Sequence, residues 1–211
     1  MFSDTLIQAL RTLAEALRVP VILLLLTLCA VAVLMLGSLI AEIFSERLRL
    51  KAKMPALADA IKDPERDLAG TIESSGLLKR QRAVLTELIS HPDLTPAMRE
   101  ALARQLLYRE QTHYDRIVRV TDLVARLGPM LGLLGTLIPL GPGLIALGQG
   151  DTYTLSQSLL TAFDTTIAGL AAAALAFIIS MVRRNWYENY MTLLEAVMEC
   201  ILEREAADHE A

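Results

Sequence analysis

Five polar side chains stand out because the sequence around them is oily. Thr136 closes the run GLLGT (132–136), while Thr161, Asp164, Thr165 and Thr166 lead into TTIAGL (165–170). A threonine hydroxyl both donates and accepts a hydrogen bond, so it suits a path along which a proton or a water passes without a fixed charge. The same hydroxyl can instead do no more than bond the carbonyl one turn back in its own helix. Both uses stay open for Thr136 and Thr166. Asp164 is the sharper signal. An ionisable group inside an apolar span is costly, turns toward protein rather than lipid, and marks a functional site by default. Three residues separate it from Thr161, which puts the two on roughly one helical face. The structural alternative is a carboxylate near a helix end, bonded to Thr161 or Ser158 or paired with another chain.

Other chemistry finds little support. Cys29 and Cys200 belong to no CxxC pair and have no histidine close by in sequence, so neither a zinc site nor a redox motif is expected. His91, His113 and His209 follow no ligand spacing, and no cofactor or metal is expected. With no nucleophile–base pair and no phosphate loop, the chain does not read as an enzyme. A net charge of −4 gives no reason to expect nucleic acid.

The elements that hold these residues follow from where charge is missing. Of 211 residues, 54% are hydrophobic and 21% charged. Charges are absent from 19–41 and 127–150, and Asp164 is alone between Asp151 and Arg183. An apolar helix needs about 20 residues to cross a bilayer core. The expected fold is therefore all-α: an integral membrane protein with three transmembrane helices and a helical cytoplasmic insert. The segments read as 1–18 outer N-terminal segment, 19–41 first span, 42–126 insert, 127–149 second span, 150–154 outer loop, 155–182 third span and 183–211 C-terminal helix. A cleaved leader is disfavoured, because the first apolar run is about twice the usual length and no small-x-small site ends it.

Lysine and arginine set the orientation. Residues 42–126 hold 15 of the 20, Arg183 and Arg184 follow the third span, and the connection at 149–153 holds none. The positive-inside rule then puts the N-terminus outside and the C-terminus in the cytoplasm. Trp186, Tyr187 and Tyr190 fall where an interfacial aromatic belt would anchor the third helix.

Within the second span, Gly128, Gly132 and Gly135 share one helical face and invite close helix approach in lipid. Pro139, Gly141, Pro142 and Gly143 are expected to loosen its outer half, which is tolerated at membrane depth only inside a bundle. In the insert, a first helical segment is expected up to about Ile61, a break at Asp63–Pro64, and a helix over 77–89 ended by His91-Pro92. Thr95-Pro96 then starts a helix in the favoured cap-then-proline order. Leu102, Leu106, His113, Ile117, Val120, Val124 and Leu127 continue it at spacings of three, four and seven. Leu193, Leu194, Val197 and Ile201 repeat that pattern in the tail.

GLLGT followed by TT-x-x-GL and a run of small and aliphatic residues resembles the MotA/TolQ/ExbB proton channel family, closest to its three-span TolQ/ExbB type. The resemblance is specific over about residues 120–190. It implies a homopentamer in the cytoplasmic (inner) membrane around a one-span partner of ExbD/TolR/MotB type that carries a membrane aspartate. Ion flow down the electrochemical gradient would then drive motion of the partner. By the motif match, Thr136 takes the place of the family's pore threonine and Thr166 that of the threonine three residues before Gly169. The family commonly has a glutamate where Thr161 stands, so Asp164 is the nearest acid to that place. The alternative function is a non-conducting membrane scaffold for a partner complex.

Overall fold

A computed structural model describes residues 2–44, 60–61, 67–91 and 94–210. The expected segment leading to Ile61, the Asp63–Pro64 break and Pro92 lie largely outside these residues. Among the described residues the chain is all-helical, with α1 (Phe2–Glu42), α2 (Leu68–Ser74), α3 (Lys79–Ile89), α4 (Pro96–Gly148) and α5 (Thr152–Glu210). Three of these, α1, α4 and α5, are long and apolar enough to cross a membrane.

α4 and α5 run as single helices of 53 and 59 residues across the segment bounds at 126/127 and 182/183, continuing the pattern that starts at Pro96. The prolines do not open the second span. α4 continues through Pro129, Pro139 and Pro142. Each proline lacks an N–H, so the carbonyls four residues back, those of Ala125, Gly135 and Ile138, lose their intrahelical donor without the helix ending. Between α4 and α5, Gly150 takes φ +77°, a left-handed value that glycine adopts cheaply. Asp151 then caps α5, accepting from the Thr154 amide at 3.0 Å. That amide and the Thr154 hydroxyl hold its carboxyl below the ordinary value.

The chain divides into two compact units. The first contains α1 up to Leu39 and residues Arg119–Met181 of α4 and α5. Leu28 and Ala32 of α1 pack with Val124 of α4 and with Ala172 and Ala176 of α5. The Cys29 Sγ lies 3.7 Å from the Ala168 carbonyl oxygen, so small α5 residues let α1 come close. Large apolar side chains point outward all round, among them Leu34, Leu133, Phe163 and Ile167. That is how a helix bundle presents itself to lipid or to further protein rather than to water.

The second unit combines α2, α3, the first part of α4 and the end of α5 around Ile72, Leu85, Leu88, Leu106, Leu194, Val197 and Ile201. Gln81 of α3 accepts from the Leu78 amide and donates to the Tyr190 carbonyl at 3.1 Å each. The tail pattern is met: Leu194, Val197 and Ile201 are buried and Leu193 packs against them. The α4 pattern is met in part. Leu106 and Val124 are buried, but Val120 and Leu127 are exposed, and Ala103, Glu110, Thr121 and Gly128 take the buried places. Polar and small residues there are invisible to a count of apolar side chains. The aromatic belt is also corrected. Trp186, Tyr187 and Tyr190 are buried, and Tyr187 stacks on Tyr114 with ring centroids 4.4 Å apart. Rings turned inward cannot anchor a headgroup layer.

Candidate functional site

The seam between α4 and α5 in the first unit carries the candidate residues. Antiparallel helices can touch backbone to backbone only where side chains vanish, and the glycines provide this. A Cβ placed on Gly128 would lie 2.6 Å from the Gly169 carbonyl oxygen and 2.9 Å from the Ala173 Cβ. One placed on Gly135 would lie 2.6 Å from the Thr165 Cβ. At Gly132 the nearest atoms, on Thr165 and Thr166, are 3.5 Å away. Gly143 continues the seam against Ser158, toward the turn between α4 and α5. Gly128, Gly132 and Gly135 therefore face Thr165, Thr166 and Gly169 in one register.

The threonines take up the back-bonding geometry. Thr165, buried, donates to the Thr161 and Ala162 carbonyls at 3.0 and 2.9 Å. Thr166, half-buried, donates to Ala162 at 3.1 Å, and Thr136 donates to Leu133 at 2.7 Å. Thr161 donates to Gln157 at 3.0 Å. With their protons committed, these hydroxyls present lone pairs: each is an acceptor to whatever reaches it.

Asp164 stands apart from this seam. Thr165 is buried beside Gly135 while Asp164 is exposed, on the face that also bears Leu160, Phe163 and Ile167. Thr161 bonds its own helix and does not hold Asp164. A carboxylate on an apolar face is costly in lipid, so this face calls for a protein neighbour.

Sequence reading passed over two features of this unit. Arg18 lines a small cleft with Thr161, Gly135 and Pro139. Asp122 of α4 accepts the Ser180 hydroxyl of α5, and Ser180 is buried. Asp122 falls five residues short of the charge-free stretch that begins at Leu127, so an apolar window excludes it. The usable signal was spacing: Asp122 is 14 residues before Thr136 and Ser180 is 14 after Thr166.

Comparison with known proteins covers this region. A profile described as the MotA/TolQ/ExbB proton channel family matches residues 75–196. The biopolymer transport protein exbB1 of Vibrio cholerae serotype O1 is 28% identical over 122 residues, which is 54% of this chain and 52% of that protein. The chain thus spans about half the length of that curated relative. The match takes in the glycine seam, all four threonines, Asp164, the whole of α4 and α5 as far as residue 196, and the chain belongs to the MotA/TolQ/ExbB proton channel family.

Proposed function

We propose that this chain is the pore-forming subunit of a proton-driven membrane motor, five copies of which surround a one-span partner bearing a membrane carboxylate. The observation that carries this reading is the glycine seam, which sets Thr165 and Thr166 against α4 beside Thr136, inside the region the family profile matches. The orientation follows the positive-inside rule, with the N-terminus outside and the Arg-rich insert and C-terminal segment in the cytoplasm of an inner-membrane protein.

The chemistry follows from the acceptor character of the threonines. A protonated carboxylic acid donates a hydrogen bond, whereas a carboxylate only accepts. Hydroxyls whose own protons are committed therefore hold the neutral acid of a partner and not its anion. The partner's acid, neutralised from outside, passes the apolar wall, docks at Thr136 and Thr166, and releases its proton inward. Arg18 at the outer cleft adds a fixed positive charge that disfavours free cations on the same route. Each proton moved across the membrane supplies ~2.3 kcal/mol per 100 mV, so a ring of identical subunits accumulates repeated steps. Asp164, on the exposed apolar face, is the acid that meets a neighbouring subunit or the partner.

The test is proton uptake by proteoliposomes holding the complex drawn from native membranes through a tag on this chain. Wild type conducts under an applied potential. Asp164→Asn, which keeps size but removes charge and proton exchange, abolishes uptake while the pentamer persists in native mass spectrometry. Asp164→Glu retains part of it. A wild-type complex that carries no protons, or a chain that stays monomeric or dimeric, refutes the reading and leaves a scaffold.

A further inference from the structure

A second polar pair lies on the same α4–α5 seam as the threonines. Asp122 accepts the hydroxyl of Ser180, and the adjoining Thr121 is fully buried. Fourteen residues separate Asp122 from Thr136 on α4, and fourteen separate Thr166 from Ser180 on α5. Fourteen residues are close to four α-helical turns, so on each helix the two polar residues share a face, about 21 Å apart along the axis. Between them α5 reads IAGLAAAALAFII (167–179), with no polar side chain at all. The matching stretch of α4 (123–135) has only Arg126, which is exposed. Asp122 with Ser180 is therefore the next polar station on the seam after the threonines.

Its depth is informative. Val124, two residues from Asp122, and Ala176, one turn from Ser180, pack with Ala32 of α1. A little over two turns beyond Ala32, the apolar run of α1 ends at Ile40–Ala41, just before Glu42. The pair thus lies near the inner end of the apolar layer, packed within the membrane unit although the sequence reading assigned residue 122 to the insert. A carboxylate held between spans at that depth is costly and is retained where it acts.

We propose that Asp122 is the inward proton acceptor of this chain, with Ser180 as the residue that positions it. The proposal rests on the proton-conducting reading above. A proton released at the threonines travels through water on the open side of α4 and α5, outside the glycine-packed seam, to the half-buried Asp122 carboxylate, giving the neutral acid. The neutral acid then returns the proton to water at the inner mouth, so the carboxylate is regenerated and nothing is consumed. The Ser180 hydroxyl holds the carboxylate in the seam between transfers.

The same proteoliposome assay tests it. Asp122→Asn loses proton flux on the order of a hundredfold, the scale of a positioned proton-transfer group, with the oligomer unchanged in native mass spectrometry. Asp122→Glu restores most of the flux. Ser180→Ala lowers it and Ser180→Thr, which keeps the hydroxyl, recovers it. Should Asp122→Asn fail to assemble, the Ser180 pair decides: Ser180→Ala conducting at the wild-type rate overturns the proposal, and a loss recovered by threonine supports it. A wild-type complex that conducts beside an Asp122→Asn complex that conducts equally overturns the proposal and leaves the motor reading intact. A wild-type complex without flux removes both.

Discussion

Replacing Gly128 by alanine puts a single methyl into one of the closest approaches between α4 and α5. Its Cβ meets the Gly169 carbonyl oxygen at 2.6 Å and the Ala173 Cβ at 2.9 Å. Ordinary contact distances for carbon are about 3.5–4.0 Å, so α4 and α5 must part by several tenths of an ångström or more. The obstacle includes backbone, which cannot swing away as a flexible side chain does. Overpacking of this kind costs about 1–3 kcal/mol, offset by up to about 1 kcal/mol of better helix propensity. A net loss of about 1–2 kcal/mol is expected, five- to thirtyfold in the folded ratio. Gly132→Ala is the internal control. Its Cβ finds its nearest neighbours at 3.5 Å, an ordinary contact, so it is expected to be neutral or slightly stabilising. Gly169→Ala meets the Gly128 carbonyl at 2.6 Å and is expected to cost as much as Gly128→Ala. Because the first methyl already parts the helices, the double variant costs less than the sum, and the two sites couple. Reversible unfolding in mixed detergent micelles, followed by circular dichroism, measures all four. The reasoning is refuted if Gly132→Ala destabilises as strongly as Gly128→Ala, or if the double variant is additive.

Thr136→Ala and Thr166→Ala are expected to weaken proton flux less than Asp164→Asn does, because water replaces a lost acceptor at modest cost; equal loss in all three would contradict this order. With Cys29 and Cys200 replaced, a cysteine at Gly150 should be labelled from outside and one at Ser74 only after permeabilisation, and the reverse pattern overturns the orientation. In the second unit Arg183 lies 3.3 Å from Glu42, with side chains 7% and 15% exposed. Arg183→Met leaves that carboxylate buried without its cation and should cost about 3–5 kcal/mol, with part of it recovered in the double variant Glu42→Gln/Arg183→Met. A loss under about 1 kcal/mol in the same unfolding assay would show that the pair adds nothing.

The sequence alone determined what periodicity and the absence of charge can encode. Long charge-free runs fix three membrane-length helices, because a charge inside lipid is too costly to scatter at random. GLLGT and TTIAGL fix the family-like core, because small residues and hydroxyls at helical spacing are rare in an oily segment. Tertiary structure decided which of those residues do the touching. Gly128, Gly132 and Gly135 look equivalent on a helical wheel, yet only Gly128 and Gly135 leave no room for a methyl, since room depends on what the opposite helix presents. The same holds for the aromatic residues of the tail: Tyr187 and Tyr190 read as interfacial anchors until Tyr114, far away in sequence, fills the space beside them. Asp122 was hidden for a related reason. Its position near the end of a charged segment made it one more surface acid, and only the antiparallel register of α4 and α5 brought Ser180 to its carboxylate. A one-dimensional pattern reports the face a residue occupies within its own helix, whereas pairing depends on the register between helices, which is settled by packing.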